Sequence, residues 1–295
     1  MGVRNMKTIS NTKKMVAGLV LAMGGLSAGT ASASMIESWD WISDGGFQIG
    51  GATCDNGAEA ACSLQYDNTS VETPSGIAGT ASMMTWGTGS GGGAQSGLQG
   101  VFGGSMAPDN GPFDAQALDS GSVPIPMFEQ IMTNGGWTNT GAAVHYNNVI
   151  TELGGHMTSA VLTTSFQLLS PNVGPLNVAN LNIDFNETLN SGSCTSGNPH
   201  GTVCDDVFTL TGNLAPVSFE VDGRLYTASF RLADGPGAIV QGDTIYTAEM
   251  NPGTAVMYVQ GRIDTIPLPG VLALMGMGLV MIGWQVRGRG RRKLV

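Results

Sequence analysis

The C-terminal segment constrains this chain most, because seventeen residues from Gly270 to Val286 carry no charge and a basic cluster follows at once. As a helix these residues rise about 25 Å, slightly less than the roughly 30 Å hydrocarbon core of a bilayer. Trp284 near the interface and snorkelling arginine side chains can make up the difference. The run predicts a transmembrane helix over 270–286, and the basic residues after it are Arg287, Arg289, Arg291, Arg292 and Lys293.

The basic cluster sets the orientation of this span. Lys and Arg next to a span stay in the cytoplasm, so we expect the residues before Ile266 on the far side of the membrane. The alternative is a buried core helix with a basic tail. A core helix is expected to have a polar face, and the run from 270 to 286 has none.

Three parts stand in a fixed order at this end of the chain: Pro267-Leu268-Pro269, the apolar span and the arginine cluster. Together they resemble the PEP-CTERM sorting signal, over residues 266–295. The resemblance implies recognition by an exosortase-type membrane protease and removal of the span. It also implies transfer from an inner-membrane-anchored precursor to the cell surface or extracellular matrix of a Gram-negative bacterium. Leu268 stands where the usual motif has a Glu, which leaves open which sorting enzyme accepts it.

The N-terminus has the pattern of a secretory signal peptide. Four basic residues precede an apolar segment, Met15 to Leu26, and small residues then lead to Ala31-Ser32-Ala33. The short apolar segment and the A-x-A site favour a cleaved signal over a retained anchor. We predict a signal peptide over 1–33, an exported body over 34–265 and the sorting signal over 266–295.

Once both ends are set aside, the body is strongly acidic. It contains all 22 Asp and Glu residues but only three basic ones, Arg224, Arg231 and Arg262, which gives a formal charge of −19. Nucleic acid and anionic lipid are disfavoured as partners because they would be repelled. Cations, polyamines and neutral polysaccharide are compatible with this charge.

Four cysteines fall into two local pairs, Cys54 with Cys62 and Cys194 with Cys204. Export brings them into an oxidising compartment, so we predict two disulfide-closed loops. Each is expected to stabilise the fold by about 2–3 kcal/mol. A zinc site of four thiolates is the alternative, but the spacing within each pair fits zinc poorly.

The body has the sequence pattern of β structure. It is rich in Gly, Asn, Thr and Ser, and apolar residues alternate strictly with polar ones over 180–186 and 226–232. Asp222-Gly223, between alternating runs, predicts a hairpin. We expect two sheets with apolar faces inward, a single mainly-β sandwich of jelly-roll type. Further strands are predicted at Val144–Thr151, Met157–Leu169, Val207–Thr211, Thr244–Glu249 and Thr254–Ile263.

The first half of the body is less regular. The stretch 86–104 holds nine glycines in nineteen residues and predicts a mobile loop. A second stretch, 119–126, predicts a linker or a long surface loop because Pro124 and Pro126 enforce extended backbone.

A second resemblance concerns the body. Val144-His145-Tyr146-Asn147 looks like the Thr-His-x-Asn signature of the THxN family of PEP-CTERM proteins, with Val144 in place of Thr. The resemblance implies an exported, surface-sorted protein of undetermined biochemical role, in which His145 and Asn147 shape the fold. Two apart on a strand, these residues share a face. Similar to the family's layout are Thr85-Trp86-Gly87, Ile183-x-Phe185-x-Glu187-Thr188-x-Asn190 and Cys204-Asp205-Asp206-x-Phe208.

Acidic side chains form the candidate metal site. Asp184, Glu187, Asp205 and Asp206 carry oxygen ligands of the kind that calcium takes, and a Cys194–Cys204 disulfide would tie the two groups together. No EF-hand pattern is present, so a solvated acidic surface is the alternative.

A three-histidine metal site is the second metal hypothesis. It would require His145, His156 and His200 to converge, and their spacing does not indicate this. We interpret them as surface or hydrogen-bonded structural residues, with His145 and His156 on paired strands.

Motifs of catalysis do not occur. The sequence contains neither G-x-S-x-G nor H-E-x-x-H, and the cysteines are expected to be paired. We therefore predict a non-enzymatic surface or matrix protein. The alternative is a module that binds or cleaves extracellular polysaccharide, using paired carboxylates for cleavage. Its stacking platforms would be Trp39, Trp41, Trp86 and Trp137, which otherwise belong to the core.

Overall fold

A computed structural model describes much of the body, and its described residues from Ile36 onward belong to one structural unit. The predicted signal peptide, 1–33, lies outside the described residues, as do Leu268, Pro269 and the arginines Arg287, Arg289, Arg291 and Arg292. The described residues are 34–55, 57, 59–67, 79–89, 94–105, 113–116, 122–125, 128–150, 155–188, 194, 197–201, 204–212, 214–249, 253–267 and 276–282.

Over the described residues the chain is mainly β, as predicted, and its larger sheet, sheet I, has nine strands in antiparallel pairs. Its strands are β1 (Ser38–Gln48), β2 (Thr53–Cys54), β4 (Thr80–Ala81), β9 (Ile131–Met132), β11 (Met157–Ser170), β12 (Asn172–Asn186), β13 (Asp206–Thr211), β16 (Ala238–Gln241) and β17 (Thr244–Thr247). The main path runs β16-β17-β13-β12-β11-β1-β4, with β2 beside β11 and β9 beside β1.

A second antiparallel sheet, sheet II, contains seven strands among the residues that the structure describes. They are β3 (Gln65–Asp67), β5 (Met83–Trp86), β6 (Ser96–Val101), β10 (Thr138–Asn147), β14 (Val217–Val221), β15 (Arg224–Ala233) and β18 (Gly253–Thr265). Their order in the sheet is β14-β15-β18-β10-β6-β5-β3. A separate two-stranded sheet pairs β7 (Phe113–Gln116) with β8 (Ser122–Ile125), and a short 3₁₀ helix covers Glu59–Cys62.

The alternating runs of the second half form strands where period two predicts them. The run 180–186 is the end of β12, and 226–232 lies within β15. Asp222 and Gly223 join β14 to β15 with φ of 50° and 75°, as a two-residue turn of type I′ requires. The strand predicted to reach Thr151 ends at Asn147.

Two stretches that were predicted to be irregular contain strands. The glycine-rich stretch 86–104 includes β6, which pairs with β10 on one side and β5 on the other. The physical reason is close packing: a Cβ at Gly100 would lie 2.5 Å from the Phe102 ring, so glycine serves packing there. The proline stretch 119–126 contains β8, paired with β7.

Side chains from both large sheets form shared apolar clusters, which is consistent with a β-sandwich. In one cluster Phe185 of β12 and Ile245 of β17 pack with Leu98 of β6. In the other, Trp39 of β1 meets Tyr226 of β15 edge to face, with ring centroids 4.9 Å apart. This burial is the main source of stability for strands that are individually marginal.

Both predicted disulfides are present. Cys54 is bonded to Cys62 and Cys194 to Cys204, with Cα–Cα distances of 5.8 and 5.0 Å. The four cysteines therefore do not form the alternative zinc site.

Residues 276–282 form a helix inside the predicted span. Its apolar side chains are exposed, from 57% for Met277 to 70% for Leu279 and Val280. Within the part of the chain that the structure describes, no helix has the length and apolarity needed to cross a membrane. Of the Pro-Leu-Pro motif, only Pro267 is described, and it is exposed.

Candidate functional site

Strand ends from both large sheets bring polar side chains together at one place. Sheet I contributes Glu187 just after β12, Asp206 at the start of β13 and Glu249 shortly after β17. Because β12 and β13 are antiparallel neighbours, with Asn186 opposite Val207, the end of one strand meets the start of the other. Sheet II contributes Asn147 at the end of β10. We call Asn147, Glu187, Asp206 and Glu249 the carboxyl cluster.

Two hydrogen bonds in this cluster join the sheets. The indole N–H of Trp86, at the end of β5, donates to Oε2 of Glu187 over 3.3 Å. The side-chain amide of Asn147 donates to Oε2 of Glu249 over 2.7 Å. Trp86 is fully buried and Asn147 is 1% exposed, so both donors act in a largely water-free setting. A hydrogen bond to a charged group is stronger than one between two neutral groups.

Asp206 is the most enclosed carboxylate of the cluster, with no exposed surface. Its Oδ1 accepts a hydrogen bond from the main-chain N–H of Thr188 over 2.7 Å and lies 3.1 Å from the Thr188 hydroxyl. The same hydroxyl lies 2.9 Å from the carbonyl oxygen of Cys204. The other carboxylate oxygen of Asp206, Oδ2, has no hydrogen-bond partner among the described residues.

The three carboxyl groups all have raised pKa values. Burial raises the pKa of Asp206 to about 8; hydrogen bonds from Thr188 oppose this rise, and the charge of Glu249 adds to it. Burial raises the pKa of Glu187 well above its usual value, and the negative charge of Asp206 raises this pKa further. Burial also raises the pKa of Glu249. Three negative charges are therefore unfavourable here unless protons or a cation balance them.

His145 packs beside the cluster as a neutral, buried residue. Its ring stacks on Trp86 at an interplanar angle of 8° and meets Phe208 edge to face, with centroids 4.8 Å apart. Its Nδ1 lies 2.9 Å from the Thr247 hydroxyl. Burial lowers the pKa of His145 to about 3, so the ring is uncharged near neutral pH.

The structure brings together two of the four carboxylates that were predicted as calcium ligands. Glu187 and Asp206 belong to the carboxyl cluster. Asp205 is buried, and its Oδ2 instead lies 2.9 Å from Nδ1 of His200. Asp184 is exposed and alternates with buried Ile183 and Phe185, so it lies on the opposite face of β12. No group of three or more His, Cys, Asp or Glu side chains within the described ranges is arranged to hold a metal ion.

The three histidines occupy separate surroundings. His145 lies in β10, which pairs with β6 and β18 of sheet II. His156 immediately precedes β11 of sheet I and lies 3.7 Å from Asp55. The prediction that His145 and His156 lie on paired strands is therefore wrong, because the chain crosses from one sheet to the other between them.

Glu249 is the member of the cluster that the sequence did not reveal as a site residue. It ends the run that predicts β17, but it lies 102 residues from Asn147, its hydrogen-bond partner. No spacing pattern connects residues so far apart. Only the pairing of β13 with β17, which sets Asp206 opposite Thr247, brings Glu249 to the cluster.

Three of the four candidate stacking tryptophans are core residues. Trp39, Trp41 and Trp86 have no exposed surface. The indole N–H of Trp41 donates to the carbonyl of Glu129 over 2.8 Å. Trp137 is half-buried, with the guanidinium carbon of Arg231 4.5 Å from its ring centroid. Trp137 alone among these four therefore retains exposed surface.

Residues from the stretches that resemble the THxN layout meet here, namely Trp86, His145, Asn147, Glu187 and Asp206, while Asn190 lies outside the described residues. Membership of that family and of the PEP-CTERM group stays a prediction. No family model and no curated protein sequence matches this chain.

Proposed function

We propose that this is an exported, non-enzymatic protein that a C-terminal signal sorts to the cell surface or extracellular matrix of a Gram-negative bacterium. The observation that carries the proposal is the ordered C-terminus: Pro267-Leu268-Pro269, the uncharged span 270–286 and the arginine cluster. The secretory signal pattern over 1–33 adds to it. The proposed partners are the secretion machinery and an exosortase-type membrane protease. The span would hold the precursor in the inner membrane before processing.

The two disulfides support export. Cys54–Cys62 and Cys194–Cys204 are both formed in a body that has no lysine and a formal charge of −19. Structural disulfides persist in oxidising compartments and are rare in the cytosol. For the body we propose the jelly-roll type, supported by antiparallel pairs between distant segments such as β1 with β11 and β10 with β18.

The bonding of the carboxyl cluster supports a structural role rather than catalysis. Glu187 accepts from Trp86 and Glu249 from Asn147, so these carboxylates already serve contacts between the two sheets. His145, whose ring stacks on Trp86, is neutral and packed among aromatic rings. We infer that these residues hold the body in one shape.

Mass spectrometry of the full-length protein from membrane, medium and matrix fractions tests the sorting proposal. We expect surface and matrix material to begin at Ser34 and to lack the residues from 270 onward. A Pro267→Ala/Pro269→Ala variant should accumulate uncleaved in the membrane. Pro216→Ala, at an exposed loop position, is the matched control and should be processed normally. Surface-located protein with an intact tail through Val295 would contradict sorting by cleavage.

A second candidate function is binding or cleavage of extracellular polysaccharide, and one surface favours binding. Arg231 of β15, Gln260 of β18 and Asn139 of β10 lie directly opposite one another across three neighbouring strands. Nε of Arg231 donates to Gln260 over 2.9 Å, and the Gln260 amide donates to Asn139 over 3.0 Å. Beside them Trp137 offers an aromatic surface. Aromatic rings, amides and guanidinium groups are the usual contacts for sugar rings and hydroxyls.

Affinity electrophoresis of the full-length protein in gels that contain a neutral polysaccharide such as dextran tests this second candidate. Binding at the surface described above predicts retardation, which Trp137→Ala and Arg231→Ala should abolish. Arg224→Ala makes the same change in charge at the start of β15 and should keep the retardation. If the wild-type protein migrates at the same rate in gels with and without each polysaccharide tested, this second candidate function is ruled out.

A further inference from the structure

The carboxyl cluster contains oxygen acceptors that are held in place but not satisfied. Oδ1 of Asn147 and Oδ2 of Asp206 are buried and have no hydrogen-bond partner among the described residues. Asn147 is 1% exposed and Asp206 has no exposed surface. Leaving a buried acceptor without a partner destabilises the folded protein, so such atoms need an explanation.

Each of these side chains is fixed through its other polar atom. The amide nitrogen of Asn147 donates a hydrogen bond to Glu249, so its Oδ1 is available to a ligand. Oδ1 of Asp206 accepts a hydrogen bond from Thr188, so its Oδ2 is available. Oε2 of Glu187 accepts a hydrogen bond from Trp86, so its Oε1 is available. This arrangement resembles a metal site, in which an outer layer of hydrogen bonds orients the ligands.

When both carboxyl groups are ionised the remaining atoms are all acceptors, and a cation or a hydrogen-bond donor can satisfy them. We propose that Asn147 Oδ1, Asp206 Oδ2 and Glu187 form a binding site for one calcium ion, with Glu249 orienting Asn147 from behind. Two carboxylates and one amide oxygen are hard ligands, and water completes the six to eight oxygens that calcium takes. Glu187 and Glu249 are half-buried, which leaves a path for the ion and its waters.

Calcium suits this set better than zinc or magnesium. Zinc prefers nitrogen and sulfur ligands, whereas the His145 ring packs against the rings of Phe185 and Phe208. Magnesium demands a near-ideal octahedron, whereas these ligands come from two sheets and three strand ends. The formal charge of −19 on the body also raises the local concentration of divalent cations.

This site differs from the set Asp184, Glu187, Asp205 and Asp206 that the sequence suggested. Asp184 faces away on β12, and Asp205 is engaged by His200. Asn147 enters from the other sheet. The site is thus built across the sandwich, and its occupation would add a further link between the two sheets.

Thermal unfolding of the full-length protein in mild detergent, at 150 mM NaCl, tests the proposal with CaCl₂ against EDTA. Calcium at a hundredfold excess over its Kd is expected to raise the Tm by about 5–10 °C. In Asp206→Asn and Glu187→Gln the rise should fall to within about 2 °C. Asp184→Asn removes an exposed carboxylate of the same strand and should keep the full rise, because it lies outside the site.

A second measurement, sensitised terbium emission, tests whether the ion binds close to Trp86. Terbium substitutes for calcium and emits when a tryptophan close to it is excited, and Trp86 is bonded to the proposed ligand Glu187. We expect sensitised emission from the wild type and from Asp184→Asn, displaced by excess calcium, and its loss in Asp206→Asn. If Asp206→Asn does not fold, Glu187→Gln supplies the same comparison. A wild-type Tm that is identical in CaCl₂ and EDTA overturns the proposal, as does a full calcium shift in both folded variants.

Discussion

Trp86 donates its indole N–H to the carboxylate of Glu187 across 101 residues of sequence. Trp86 ends β5 in sheet II, and Glu187 follows β12 in sheet I, so this bond joins the two sheets. The indole also stacks on His145 and meets Phe185 edge to face. One side chain therefore supports both the aromatic packing between the sheets and the position of the half-buried Glu187 carboxylate.

Trp86→Phe is expected to lower the free energy of unfolding by about 2–3 kcal/mol, because it opens a cavity and leaves the Glu187 carboxylate without its donor. Urea unfolding measures the change. Trp137→Phe makes the same substitution at a half-buried position and should cost less than about 1 kcal/mol. Equal losses in the two variants would mean that the bond to Glu187 does not contribute.

The stability of the calcium-free protein should fall as the pH rises from about 4 through 8. The folded pKa of Asp206 is about 8, above its ordinary 3.8, so the folded state binds a proton that the unfolded state releases. This contribution is fully present below the ordinary pKa and is lost as the pH rises through 8. His145 acts in the opposite direction. Its folded pKa of about 3 lies below its ordinary value of 6.5, so the protein loses stability through this group only as the pH falls below about 6.5.

Between pH 6.5 and 8.5 the change in stability therefore reflects the carboxyl groups of the cluster and not His145. In EDTA, the wild-type Tm should decrease over this range, and Asp206→Asn should show a smaller decrease because its amide does not titrate. Asp184→Asn is the control and should follow the wild type. A flat wild-type profile would contradict the raised pKa values.

Removing either disulfide should destabilise the protein by a similar amount, about 2–3 kcal/mol, because the two loops are of similar length. Only the loss of Cys194–Cys204 should also weaken the calcium response. The carbonyl of Cys204 contacts the hydroxyl of Thr188, which lies against Asp206. Double Cys→Ser variants of each pair, compared by urea unfolding and by the calcium shift in Tm, separate the two effects.

Gly45→Ala is expected to destabilise the folded protein by about 1–3 kcal/mol through overpacking. A Cβ at this position of β1 would lie 2.5 Å from the carbonyl oxygen of Thr163 and 2.6 Å from the Phe102 ring. Gly136→Ala is the control, since nothing lies within 4 Å of a Cβ there, and it should stay within about 1 kcal/mol of the wild type. Urea unfolding of both variants measures the difference.

The strands of the second half were predictable because their signal is local. Alternation over 180–186 and 226–232 depends only on neighbouring residues, and Asp222-Gly223 has the residue types that a tight hairpin needs. The strands of the first half lack such a local signal. In β6 glycine serves close packing against Phe102, a partner whose position the sequence pattern does not reveal.

By itself, the sequence determined the β character of the body, the hairpin at Asp222-Gly223 and the pairing of the four cysteines, because each depends on residues close together along the chain. Only the tertiary structure decided that Asn147, Glu187, Asp206 and Glu249 meet, and that Asp184 does not join them. The reason is physical: which strands pair, and which faces of two sheets pack together, depends on burying apolar surface over the whole body. Residues about a hundred positions apart become neighbours only through that packing.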